Sequence, residues 1–194
     1  MARNIEDNPD SLAAFLTAEP RLREPLRAVA ALGLPGCWIG AGFLRNAVWD
    51  ALSGFPFGHN PPGDIDVVWF DAARTDPEAD LAAEAVLRAA MPGLPWSVRN
   101  QACMAARNGD APYAGTLDAV THWPEPATAV LARWTGQGVE LAAPWGLGDL
   151  LGLILRPTPG FARNAAKRAV FAARRTTKRW EARWPRLRLC PDPP

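Results

Sequence analysis

Cysteine is scarce in this 194-residue chain: Cys37, Cys103 and Cys190 are all there is. They form no CxxC pair and no even framework, so neither a disulfide scaffold nor a zinc knuckle is expected. Histidine is scarcer still, with only His59 and His122, which excludes a multi-histidine metal site and leaves any metal to oxygen ligands. No apolar run approaches the roughly 18 residues of a membrane span. The opening MARNIEDNPDS is too acidic and polar for a signal peptide, so the expected compartment is the cytoplasm and no membrane contact is expected. Excess charge is missing too, with 21 Lys plus Arg against 20 Asp plus Glu. Near-neutrality together with 48% hydrophobic residues rules out disorder over most of the length. Neither GxxxxGK[ST] nor GxSxG occurs, which removes P-loop and α/β-hydrolase chemistry. Gly40-x-Gly42-x-x-Arg45 lacks the third glycine that a dinucleotide-binding turn needs for helix packing.

The length suits one globular domain with a small appendage. Charge divides it unevenly: residues 1–160 hold 11 basic and 18 acidic side chains, a net −7, whereas 161–194 hold 10 basic and 2 acidic, a net +8. The expected division is a domain over 1–160 with N-terminal helices, and a basic helical extension over 161–194 packed on it. Segregation of this kind hints at an anionic partner.

Pro9 after Asn8 reads as a helix start, and apolar spacing to Leu34, interrupted near Pro20 and Pro25, predicts two short helices. Cys37-Trp38-Ile39 suits a buried strand, ending in the Gly40-Ala41-Gly42 turn, with a helix over 43–52 behind it. After a loop rich in Gly and Pro, Asp64 to Asp71 is the best strand by β-branched and aromatic content. A helix follows Pro77, with Leu81, Ala85 and the stem of Arg88 recurring at helical spacing. Trp96 to Asn100 and Val139 to Ala142 read as strands, and 116–123, 127–134, Leu147 to Leu155 and a long Phe161 to Arg183 as helices. Strands alternating with helices predict an α/β (α+β) fold, a mixed sheet flanked by helices with a helical C-terminal part.

One constellation carries chemistry. Side chains on a strand alternate faces, so Asp64 and Asp66 share one face at the start of a buried strand. Two like charges so close are costly unless a cation sits between them, and hard divalent cations take oxygen ligands, Mg²⁺ (or Mn²⁺) being the natural choice. Paired ions about 4 Å apart would orient a triphosphate and stabilise leaving pyrophosphate. The glycine turn is complementary, because a helix opening there presents unpaired N–H groups and a positive dipole end to phosphate oxygens. Gly40, Ala41 and Gly42 are thus candidate nucleotide-binding residues, with Arg45 one turn on adding a charge-assisted contact.

The stretch GAGFLRNAVWDALSGFPFGHNPPGDIDVVWFD resembles the head of the DNA polymerase β type nucleotidyltransferases: a small-residue turn, a helix and an Asp-x-Asp strand. It is similar to tRNA nucleotidyltransferase and poly(A) polymerase heads, whose turn reads Gly-Gly-x-x-Arg-Asp; Ala41 and Asn46 depart from that pattern. WSVRNQACM, APYAGTLDAVTHWPEPATAV, APWGLGDLLGLILRP and KRWEARWPRL extend the resemblance to a family of small stand-alone bacterial nucleotidyltransferase-like proteins. The resemblance implies a Mg²⁺-dependent transfer of a nucleoside monophosphate from an NTP, ATP among them, to an acceptor hydroxyl on RNA, protein or a small molecule. Asp64 and Asp66 are then the catalytic metal ligands. Many members use a third carboxylate on a later strand; here Asn100, through its amide oxygen, or Glu140 stand as candidates. Heads of the tRNA nucleotidyltransferase type rely chiefly on the Asp pair. The alternative is a catalytically silent nucleotide- or RNA-binding module, or a partner-binding, antitoxin-like protein.

Most of the nine tryptophans are expected in the core, Trp69 first among them. His59 and Asn60, in the loop before Asp64, read as surface groups near a substrate. On a helical wheel Arg163, Lys167, Arg168, Arg174, Arg175, Lys178 and Arg179 share one arc, and Ala166, Ala169, Val170, Ala173, Trp180 and Trp184 the other side. Such a basic face is ordinarily solvated, and it is also a candidate contact for a polyanion such as RNA or a substrate phosphate.

Overall fold

The computed structural model describes residues 5–190. Asn8 caps the first helix, α1 (Pro9–Ala18), accepting the Ser11 N–H on its Oδ1 at 2.8 Å, with Pro9 at the first position, where no N–H is needed. The chain breaks at Glu19 and restarts as α2 (Pro20–Ala30), which runs on through Pro25. The next elements are β1 (Trp38–Gly40), α3 (Gly42–Leu52), β2 (Ile65–Trp69), α4 (Glu78–Ala90) and β3 (Trp96–Asn100). Beyond them come α5 (Met104–Asn108), α6 (Thr116–Thr121), β4 (Leu131–Trp134), β5 (Val139–Ala142) and α7 (Gly148–Leu151). The last stretch holds β6 (Ile154–Leu155), α8 (Pro159–Arg163), α9 (Ala165–Lys178), α10 (Trp180–Arg183) and β7 (Arg188–Leu189).

Five strands make a mixed sheet in the order β3-β2-β1-β4-β5, in which only β2 and β3 run parallel, as the α4 crossover requires. One face, carrying Ile39, Ile65, Val67, Trp69, Trp96, Val98 and Ala132, packs with Leu12, Leu16, Leu22, Leu26, Leu44, Val48 and Leu87 of α1 to α4 into the main core. The opposite face carries Trp38, Gly40, Asp66, Val68 and Leu131 and is only partly covered, by Val120, Ala129 and Trp123. That half-open face is where a ligand finds room. Among the described residues no helix is long and apolar enough to cross a membrane.

Four expectations give way. Residues 127–134 are not a helix: Glu125 to Val130 form a buried turn that feeds β4, where Leu131 and Ala132 pair with Gly40 and Ile39 of β1. The helix expected to reach Leu155 stops at Leu151, because Leu153 turns to φ 49° and the chain pairs as β6 with β7. The long C-terminal helix is broken twice, at Asn164, which caps α9 on the Lys167 N–H, and at Arg179, whose φ of 50° bends the chain so that Trp180 and Trp184 enter the core. On α4 the inward residues are Asp80, Ala83, Glu84 and Leu87, while Leu81 is 59% exposed. The buried carboxylates have a reason: β3 is an edge strand, and Glu84 and Asp80 accept the otherwise unpaired N–H groups of Val98 and Asn100 at 3.1 and 2.9 Å.

Candidate active site beside a strained turn

The β1–β2 register sets Gly40 directly opposite Asp66, so the turn and the carboxylates meet across a single ladder rung. Glycine is required at 40 for packing: an added Cβ would lie 2.6 Å from Leu131 Cδ2 and 3.1 Å from the Trp123 ring. Ala41 follows at φ 53° and ψ −130°, a strained conformation for a residue with a side chain, and it turns the chain abruptly into α3. No side chain caps α3, whose positive end opens at Ala41, and Ala41 lines the same cleft as Asp66.

Asp64 is exposed and Asp66 partly buried. Burial, and then the neighbouring Asp64 carboxylate, push the Asp66 carboxyl up to about 6 against the pull of Lys178, Arg45 and Arg174. A carboxyl held above its ordinary range by burial and then by a like charge fits a hard divalent cation through two oxygen donors, with water and substrate oxygens completing the shell. No group of three or more metal-binding side chains occurs among the described residues.

The structure does not bring the candidate third ligands to the pair. Asn100 is 1% exposed and lies opposite Trp69, at the far end of β2 from Asp66. Its amide is spent on the loop after β2: Oδ1 accepts the Asp71 and Ala102 N–H groups, and Nδ2 donates to the Asp71 and Arg74 carbonyls. Glu140 sits on β5, three strands away, clamped to Arg133 by two hydrogen bonds of 2.8 and 3.0 Å. The β3 residue beside Asp66 is Ser97.

Arg45 is buried rather than lining the cleft surface. Its Nη1 donates to Thr128 Oγ1 and its Nη2 to Asn46 Oδ1, both at 2.9 Å, and the guanidinium lies 5.5 and 4.9 Å from the Trp49 and Trp180 rings. Burial lowers it to about 10, with Glu125 opposing and Arg174 and Arg183 adding to the effect. Asn60 is buried too, holding the approach loop by donating to both Asp50 oxygens and by accepting from Asn46 and Arg183. His59 stacks on Phe55 at 4.4 Å.

The cleft in front of Asp66, about 220 Å³, is walled by Ala41, Arg99, Gln101, Trp123, Thr128 and Arg174. Arg174 and its partner Glu125 are residues that sequence reasoning did not place here. The basic arc was visible, but only the fold shows that part of it turns inward: Lys167, Phe171, Arg174 and Arg175 are half-buried, whereas Arg163, Arg168, Lys178 and Arg179 stay exposed and Ala166, Ala169, Val170 and Ala173 face outward.

A partly open mixed sheet with an Asp-x-Asp strand set against a helix-opening turn defines a nucleotidyltransferase head. The model of the nucleotidyltransferase family matches residues 27–189, and the chain belongs to that family. It is similar to a protein whose NMR structure is described as revealing a CCA-adding enzyme head domain, with 32% identity, a TM-score of 0.85, and coverage of 98% of this chain and 100% of that one. No match is found among curated proteins.

Proposed function

We propose that the protein is a Mg²⁺-dependent (or Mn²⁺-dependent) nucleotidyltransferase that moves a nucleoside monophosphate from an NTP such as ATP to an acceptor hydroxyl. The observation that carries this reading is the Gly40–Asp66 rung, which sets the helix-opening turn beside the Asp-x-Asp strand, with Ala41 and Asp66 lining one cleft. Asp64 and Asp66 would hold the metal, which would supply positive charge against the α-phosphate and the leaving pyrophosphate. The N–H groups of the Ala41–Gly42 turn hold phosphate oxygens, and Arg45 lends its charge from below. The acceptor oxygen bonds to the α-phosphorus as the bond to the β-phosphate oxygen breaks; pyrophosphate departs with the electron pair and the hydroxyl proton passes to water. The chemistry falls to the domain proposed over 1–160, with α8 to α10 of the basic extension closing over it. The likeness to a CCA-adding enzyme head supports the donor side of the reaction and leaves RNA, protein and small-molecule acceptors open.

The test is the shift in melting temperature with each NTP, with and without Mg²⁺. Stabilisation that needs metal and vanishes in Asp64→Asn and Asp66→Asn is the expected result, since a ligand that binds only the native state raises its stability. Wild-type behaviour of both variants would falsify the reading. A second reading, a silent nucleotide-binding module, is favoured by the lack of a third carboxylate beside Asp66 among the described residues. Metal-dependent binding of all NTPs with no transfer to any acceptor in a broad screen would support it.

A further inference from the structure

Asp66 and Asp64 are placed by different means. Asp66 sits inside β2, with Gly40 on one side of the ladder and Ser97 on the other. Asp64 lies one residue before the strand begins, its side chain exposed and without a hydrogen bond among the described residues. The sheet takes hold only at Ile65, whose N–H donates to the Pro95 carbonyl at 2.8 Å. Where the Asp64 carboxylate stands is therefore set by the loop that delivers it.

That loop, 53–63, is gathered at Asn60, which is buried and uses every polar group it has. Its N–H and Nδ2 donate to the two Asp50 oxygens at 2.9 and 2.7 Å, and its carbonyl accepts from Asn46 Nδ2 at 3.1 Å. Its Oδ1 accepts from Arg183 Nε at 3.3 Å, while Arg183 Nη2 donates to the Pro61 carbonyl at 3.1 Å. Asn46 and Asp50 stand one turn apart on α3, the helix that opens at Ala41, so the loop is anchored to the same rod as the turn. From Asn60 onward the chain has little freedom, because Pro61 and Pro62 fix φ at about −65° and Pro62 packs beside Gly42. An amide suits position 60 because it donates to the Asp50 carboxylate and accepts from the Arg183 guanidinium at once; a carboxylate there would meet Asp50 with like charge.

We propose that Asn60 is the positioning residue of the metal pair: held between Asp50 of α3 and Arg183 of α10, it sets how far Asp64 stands from Asp66 and from the turn at Ala41. The inference rests on the nucleotidyltransferase reading and adds to it the means by which α10, 123 positions downstream of Asn60, shapes the metal site without touching it. A hard cation shared by two carboxylates tolerates little error in their spacing, and removing the partners that orient metal ligands typically costs roughly ten- to hundredfold in affinity.

The test titrates ATP into the full chain with Mg²⁺ and with EDTA, for the wild type, Asn60→Ala, Arg183→Ala, Trp184→Phe and Asp66→Asn, with melting curves without ligand to check folding. Asn60→Ala is expected to weaken Mg²⁺-dependent ATP binding about tenfold or more and to leave binding in EDTA unchanged. Arg183→Ala removes two of the loop's hydrogen bonds while Trp180 and Trp184 stay in the core, and should weaken Mg²⁺-dependent binding several-fold. Trp184→Phe controls for stability alone: it takes the indole donor from Asp50, at 2.8 Å, and leaves every hydrogen bond of Asn60, so metal-dependent affinity should hold. Affinity that falls in Asp66→Asn but stays at the wild-type level in Asn60→Ala overturns this inference alone. An equal loss in Trp184→Phe also overturns it, since the effect would then be general loosening. Should Asn60→Ala not fold, Arg183→Ala decides, and wild-type affinity there overturns the inference. A wild type whose ATP binding ignores Mg²⁺ removes the metal-site reading and this inference together.

Discussion

Ala41 concentrates the strain of the site in one residue. Its φ of 53° with ψ −130° is a region that glycine enters freely and alanine does not, at a cost of about 1–3 kcal/mol. Ala41→Gly is therefore expected to raise stability by about 1 kcal/mol in urea denaturation, after allowing for the extra chain entropy of glycine. Next to it, Gly40→Ala should cost about 1–3 kcal/mol, because the new methyl meets Leu131, the Trp123 ring and the Val130 carbonyl at 2.6 to 3.2 Å. Asp66 gives a pH signature. Its carboxyl holds a proton more tightly folded, near 6, than unfolded, near 3.8, so its contribution favours the fold below pH 3.8 and is lost as pH rises through 6. Metal-free Asp66→Asn should accordingly exceed the wild type in stability above pH 6, by up to roughly 3 kcal/mol, with the gap closing toward pH 4. Chemical denaturation in EDTA at the two pH values checks this; equal gaps at both would show that Asp66 is not the group strained by burial and by Asp64.

At the scale of elements, α4 illustrates what periodicity conveys and what it conceals. That a helix spans this segment is legible from its spacing, yet the inward side carries Asp80 and Glu84 while Leu81 and Val86 lie in solvent. The carboxylates serve the unpaired N–H groups of an edge strand, and a single sequence does not say which strand is the edge. Asp80 also accepts the Trp69 indole at 2.7 Å, so Asp80→Ala strands two buried donors and is expected to cost about 2–4 kcal/mol, measured by the urea midpoint. The same limit governs the site. Gly40, Ala41, Gly42, Asp64 and Asp66 are close in sequence and their strand–turn–helix–strand pattern could be read directly, as could the mixed sheet. Asn100 and Glu140 had the right atoms on strands, but only the strand order shows one spent on a loop and the other three strands away. Arg174 was legible as part of a basic arc and not as a cleft residue, because Glu125, which turns that arc inward, lies 49 positions earlier.

Over the whole molecule, the acidic body and the basic segment are joined by ion pairs that cross from α9 to Asp110 and Glu125. Because no α9 residue is buried, this helix should open at a lower free energy than the sheet. Limited trypsin digestion is expected to cut first within 163–179 and to do so faster as salt is raised, whereas cleavage spread evenly over the chain would show that α9 is as firmly held as the rest. The separation of Asp66 from Arg174 and Trp184 has a further meaning for biosynthesis. A nascent chain that has emerged only through β5 owns the Asp pair and the strained turn. It lacks the Arg174 fork on Glu125, the Trp180 ring beside Arg45 and the Trp184 indole that bonds Asp50 at 2.8 Å. The cleft is thus finished by elements made well after the sheet, and a half-made molecule carries the acidic residues without the walls around them.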